Sequence, residues 1–121
     1  MCICCPLTKE TENLINRKTL SQLKKGAYII NVTRGEIIEE NALIDSLKAG
    51  YLGGAGLDVT PREPLPEDSE LWSLPNVVMT PHTAGASQYR ASRNLDRFIS
   101  NIEKFKIGQP LDGLINKIEG Y

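Results

Sequence analysis

Along the chain, short apolar runs alternate with amphipathic segments, and each kind of block predicts its own element. "MCICCP" (1–6) reads as the end of a strand closed by Pro6, and "LTKETENLI" (7–15) is polar and turn-like. In "NRKTLSQLKKG" (16–26), Leu20 and Leu23 stand at i, i+3, basic residues fill the last turn and Gly26 supplies a stop, which predicts a helix. "AYIINV" (27–32) is a nearly unbroken apolar run rich in β-branched residues, the pattern of a strand buried on both faces. The alternation then recurs. "EENALIDSLKAG" (39–50) places Leu43, Ile44 and Leu47 on one helical face, and "GGAGLDV" (53–59) follows as a strand. Beyond the proline-rich loop "TPREPLPEDSE", a short "LWSL" turn leads into the strand "NVVMT" (76–80). "SQYRASRNLDRFISNIEKFKIG" (87–108) predicts a long helix with Leu95, Phe98, Ile99, Ile102 and Phe105 along one face, and the tail 109–121 is irregular.

Strands separated by helical segments of this length imply right-handed βαβ units, so the fold class is α/β with a parallel sheet of about three to four strands. In such sheets ligands gather at the carboxyl ends of the strands. The polar residues just past each strand are therefore the candidates for chemistry. "AYIINV" is followed by Thr33, Arg34 and Gly35, "GAGL" by Asp58 and then Glu63, and "NVVMT" by His82, the only histidine of the chain. An arginine, a carboxylate and an imidazole on one rim suit a substrate that carries a carboxylate beside a carbonyl or hydroxyl. Arginine grips a carboxylate with two parallel donors. Histidine exchanges a proton with an alcohol or carbonyl near neutral pH. A carboxylate bonded to the far ring nitrogen fixes its tautomer. Taken singly, Arg34 could equally cap a turn and Glu63 could be a solvated loop charge.

Composition narrows the classes of partner. The chain of 121 residues balances 14 basic against 15 acidic residues, with no long block of one sign, so no nucleic-acid or anionic-membrane surface is expected. The apolar runs are too short to span a bilayer, and "MCICCPL" lacks the basic and long apolar parts of a signal peptide. Cys2, Cys4 and Cys5 are odd in number and lack metal-ligand spacing. They read as small apolar residues ending a buried strand, in a reducing and therefore cytoplasmic setting, with no metal site expected. A small metal site built from these thiols and His82 is the weakest reading, because they belong to different motifs.

In order along almost the whole chain, these segments resemble the D-isomer-specific 2-hydroxyacid dehydrogenases, the family of phosphoglycerate, glyoxylate and hydroxypyruvate reductases. "CPLTKET" is similar to the family's PLT-x-x-T segment, and "LKKGAYIINVTRGEIIEENALIDSLKAGYLGGAGLDV" to its central signature. "REPLP" resembles its Glu-Pro loop, and "LPNVVMTPHTAGAS" its histidine signature. The resemblance implies that Arg34 binds the substrate carboxylate and 2-oxo group, that His82 is the general acid/base and that Glu63 is its partner. It implies NAD or NADP as cofactor and a small 2-hydroxy or 2-oxo carboxylate as substrate. Cofactor contacts are implied at Cys5, Pro6, Val32, Thr33, Arg34, Asp58, His82, Thr83, Ala84 and Gly85, with Asp58 holding the nicotinamide carboxamide. Residues 1–121 then form one partial NAD-binding domain: the second-half βαβ units of a Rossmann-like fold (1–86), the long helix (87–108) and the C-terminal tail (109–121).

The sequence departs from that family's pattern in lacking its phosphate turn and its separate substrate-side lobe. The G-x-G-x-x-G phosphate turn and the acidic residue beyond it are absent from these residues, and the glycines of "GGAGLD" have the wrong spacing to replace them. The chain resembles roughly the last third of such an enzyme. On its own it is expected to bind NAD(H) weakly or not at all and to be inactive. The alternative is a non-catalytic remnant that associates as a homodimer, or with a partner, through an exposed sheet edge.

Overall fold

The computed structural model describes residues 1–118 and divides into two compact units, Met1–Ala84 and a second unit from Gly85 onward. The first unit carries a four-stranded, all-parallel sheet: β1 (Cys2–Ile3), β2 (Tyr28–Asn31), β3 (Gly54–Leu57) and β4 (Val77–Met79), in that spatial order. The registers Cys2↔Ile30, Ile29↔Ala55 and Gly56↔Val78 bring all four carboxyl ends to one edge, as the α/β reading requires.

Helix α2 (Glu40–Lys48) forms where the sequence predicts it and buries Ala42, Leu43, Ile44 and Leu47. These pack with Ile29, Leu57, Leu20 and Leu52 into one apolar core. Helix α1 is shorter than expected and spans only Arg17–Leu20. Asn16 caps it reciprocally with Thr19, but beyond Leu20 the chain continues in i→i+3 bonds, Gln22 N to Thr19 O and Leu23 N to Leu20 O. The Leu20/Leu23 spacing serves such tight turns as well as a helix, so periodicity alone could not separate them. Gly26, at φ 82°, then reverses the chain into β2.

Two burial expectations are corrected. β2 is not buried on both faces: Ile29 and Asn31 are fully enclosed, while Tyr28 and Ile30 are exposed. The core-forming helices of this unit cover the Ile29 side, and the alternation of an extended chain puts Tyr28 and Ile30 on the other. The cysteines are likewise not the buried end of a strand. Ile3 is the buried residue of β1, Cys2 and Cys4 are exposed, and Cys5 is half-buried against the core.

The loop after β2 is held by close packing. Gly35 starts a 3₁₀ turn (Gly35–Ile37) and lies against the backbone of Thr60 and Pro61, where a Cβ would stand 2.0 Å from the Thr60 carbonyl carbon.

The second unit contains α3 (Arg90–Lys106), which begins later than the expected position 87 because Ser87 forms a turn, accepting from the amides of Tyr89 and Arg90. The start of the tail is tied back to this helix by Asn101–Asp112 hydrogen bonds of 2.8 and 3.0 Å and a Lys104–Asp112 ion pair of 2.6 Å. The end of the predicted tail, residues 119–121, lies outside the described residues. Among the described residues no helix is long and apolar enough to cross a membrane.

Because Gly35 meets main chain rather than a flexible side chain, Gly35→Ala should destabilise the chain by about 3 kcal/mol, read as a lowered midpoint of urea unfolding. An unchanged midpoint would contradict the close approach of the two loops.

Candidate active site at the strand ends

Each strand end delivers its polar residues to the same edge. After β2, the buried Asn31 organises the loop. Its Oδ1 accepts from the Thr33 amide and hydroxyl, both at 3.1 Å, and its Nδ2 donates to the Arg34 carbonyl at 2.9 Å. The Arg34 side chain is exposed and donates to Thr33 O at 2.7 Å. Asn31 escaped the sequence reading, although it is the one strongly polar residue in an otherwise apolar run. Inside a core such a residue must spend its hydrogen bonds on its own chain.

After β3, Asp58 is 6% exposed and its carboxylate faces the turn that follows β4. Oδ1 accepts from the Thr80 hydroxyl and the Thr83 amide, the latter at 2.9 Å, and Oδ2 accepts from the Ala84 amide at 2.7 Å. The Asp58 carbonyl accepts from the His82 amide at 2.9 Å. His82 sits in the left-handed region at φ 54°, which costs a non-glycine residue about 1 kcal/mol, so the Asp58 bonds hold the turn against its own preference.

The turn aims the imidazole at Glu63. His82 Nδ1 and Glu63 Oε2 are 2.7 Å apart, and Glu63 Oε1 accepts from the Thr60 amide at 3.1 Å. A carboxylate can only accept, so the neutral ring carries its proton on Nδ1 and its lone pair on Nε2. The two side chains are 46% and 39% exposed; the bond therefore adds little to stability, and its effect is to set the ring's orientation and tautomer.

Both carboxyls are shifted in the same direction. The hydrogen bond from His82 holds Glu63 below its ordinary value of 4.5, with the Thr60 amide and the positive charge of Arg34 acting the same way against a burial effect. The Thr80 hydroxyl, followed by the Ala84 and Thr83 amides, holds Asp58 below 3.8, again against burial. Beside the pair opens a cavity of about 640 Å³, walled by Asp58, Glu63, Leu65, Trp72, Met79 and His82. Trp72 was not singled out from the sequence; its indole is pinned by a 2.9 Å bond from Nε1 to Pro66 O.

Of the expected catalytic residues, Glu63 and His82 touch, and Arg34 lies near enough for its charge to act on Glu63. Cys5 and Pro6 follow β1, Val32 and Thr33 follow β2, Asp58 follows β3, and Thr83 and Ala84 follow β4. Gly85 opens the second unit.

A parallel sheet bearing these side chains at its carboxyl edge is a Rossmann-like arrangement. Residues 1–84 match the model of the D-isomer specific 2-hydroxyacid dehydrogenase NAD binding domain, and the chain belongs to that family. It is similar to a putative 2-hydroxyacid dehydrogenase of Haemophilus influenzae, with 48% identity over 84% of this chain and 33% of that protein. It is also similar to glyoxylate/hydroxypyruvate reductase A of Salmonella newport, at 40% identity over 96% of this chain and 36% of that protein. Among solved structures, the D-isomer specific 2-hydroxyacid dehydrogenase of Xanthobacter autotrophicus, in complex with NADPH and MES, superposes with a TM-score of 0.89. That match has 38% identity and covers 99% of this chain and 49% of that one. The chain thus spans about a third of the length of the curated relatives it matches.

The carboxyl shifts fix a pH dependence. Groups whose folded values lie below their unfolded ones contribute fully above the unfolded values, here 4.5 and 3.8, and lose that contribution as pH falls through the folded ones. The urea midpoint should therefore change little from these groups between pH 7 and 5 and fall below pH 4.5. Asp58→Asn should lower the midpoint at pH 7 and make the acid fall shallower, and a fall parallel to that of the unsubstituted chain would refute the Asp58 assignment.

Proposed function

We propose that residues 1–121 carry the proton-transfer and substrate-anchoring part of an NAD(P)-dependent 2-hydroxyacid dehydrogenase site. The observation that supports this reading best is the 2.7 Å His82–Glu63 pair at the end of β4, with the positive Arg34 acting on the same carboxylate. Arg34 binds the carboxylate of a small 2-oxo acid and polarises the neighbouring carbonyl. His82 delivers its proton to that carbonyl oxygen during reduction and removes it from the hydroxyl in the reverse direction. Glu63 stabilises the ring while it is protonated and keeps its orientation when it is neutral.

The residues fit the nicotinamide end of the cofactor. Asp58 Oδ2 accepts one bond, from Ala84, and retains a lone pair for a carboxamide N–H. Cys5, Pro6, Val32, Thr33 and the segment from His82 to Gly85 line the cleft in this reading. Bound NADH or NADPH supplies the hydride. No G-x-G-x-x-G turn occurs in these residues to anchor a pyrophosphate, so residues 1–121 alone should bind NADH weakly or not at all and turn over no hydroxy acid.

A second reading rests on the exposed Tyr28, Ile30, Val32 and Val78 of the sheet. Large exposed apolar patches mark association surfaces, and by this reading the chain self-associates, as a homodimer or through its open edge, without catalysis. Its cysteines are unpaired, in keeping with a cytoplasmic protein.

The test is a graft of residues 1–121 in place of the aligned segment of the Salmonella glyoxylate/hydroxypyruvate reductase A. The chimera should reduce glyoxylate with NADH or NADPH. His82→Gln should cut kcat by about a thousandfold, and Arg34→Gln should chiefly raise the KM for glyoxylate. A soluble, folded chimera without activity, or one indifferent to His82→Gln, would defeat the dehydrogenase reading. Concentration-dependent sedimentation of the 121-residue chain would then favour self-association.

A further inference from the structure

The thiols of Cys2 and Cys4 take no part in the chemistry proposed above. Cys2 lies on β1, at the edge of the sheet, and residues two apart on an extended chain share a face. Cys2 and Cys4 therefore project together while Ile3 between them enters the core, and their sulfurs stand 3.6 Å apart, both exposed. Cys5 is half-buried against the core.

We propose that Cys2 and Cys4 form a thiol–disulfide exchange site that accepts a low-molecular-weight disulfide and closes to a reversible Cys2–Cys4 bond. The separation is already near contact and both sulfurs are open to a small reagent. The sheet register ends at Ile3↔Asn31, so Cys4 can shift without breaking a registered pair. Two residues of extended chain span about 6.6 Å between Cα atoms, inside but near the upper end of the range that disulfides bridge.

The electrons balance in two steps. The Cys2 thiolate attacks one sulfur of the small disulfide, forming a mixed disulfide and expelling one small thiolate, which takes up a proton. The Cys4 thiolate then attacks the Cys2 sulfur and expels the second. Two protein thiols are oxidised by two electrons in all, and one small disulfide is reduced to two thiols. The hydrogen bond and charge of the Cys2 sulfur hold the Cys4 thiol above its ordinary 9.0, which suits Cys4 to the second, resolving step.

Reduced chain, freed of reductant, is incubated with oxidised glutathione and its intact mass followed without reduction. The unsubstituted chain and Cys5→Ala should each lose two hydrogens and regain them with dithiothreitol. Cys4→Ser and Cys2→Ser should each stop at one attached glutathione, because neither keeps the second sulfur that closes the ring. Loss of two hydrogens by Cys2→Ser or Cys4→Ser at the unsubstituted rate would overturn the proposal. So would stable glutathione attachment to the unsubstituted chain without ring closure. Cys2 and Cys4 are exposed, so their replacement leaves the core intact.

Discussion

The carboxylate of Asp58 is the tie on which the site depends. It follows β3, yet three of its hydrogen bonds go to the turn after β4, and its own carbonyl takes the His82 amide. One residue thus couples two strand ends and holds His82 in a backbone conformation it would not choose in isolation. Without that grip the turn could relax, and the imidazole would lose its aim at Glu63. A nearly enclosed carboxylate is costly unless its lone pairs are met, and here two amides and a hydroxyl meet them.

The loop after β2 solves the same problem with a neutral side chain. Asn31 uses both its acceptor and its donor on Thr33 and Arg34, so the backbone that presents Arg34 is set from inside the core. Gly35 then lets this loop lie directly on Thr60 and Pro61, at the start of the loop that supplies Glu63. The parallel register brings the strand ends to one edge, and these polar ties convert that general placement into a specific orientation. Arginine, glutamate and histidine come from three loops, and none is positioned by its immediate neighbours in sequence alone.

Much of the fold was legible in the chain. β2, β3, β4, α2 and α3 all lie within the segments where their patterns predict them, because long periodic runs and β-branched blocks carry strong local signals. α1 was over-extended because a leucine pair at i, i+3 fits either a helix or a succession of tight turns. The two-sided burial expected for β2 failed for a different reason. A continuous apolar run states that both faces are apolar, but whether each face is covered depends on what packs there, and Tyr28 and Ile30 remain exposed. The cysteines repeat this lesson at β1, where Ile3 is enclosed and the thiols on either side of it face outward.

The sequence by itself determined the α/β class, the order of the elements and the identity of Arg34, Glu63 and His82 as groups following strands. Those properties follow from local periodicity and from the handedness of βαβ connections, which every parallel sheet obeys. Only the tertiary structure decided that His82 meets Glu63 through Nδ1, that Asp58 accepts from the turn after β4, and that Trp72 walls the adjacent cavity. The His82 and Asp58 contacts join residues 19 to 26 positions apart in the chain. No local pattern encodes such pairings; they arise when the sheet brings its strand ends together and buried polar groups must find partners within reach.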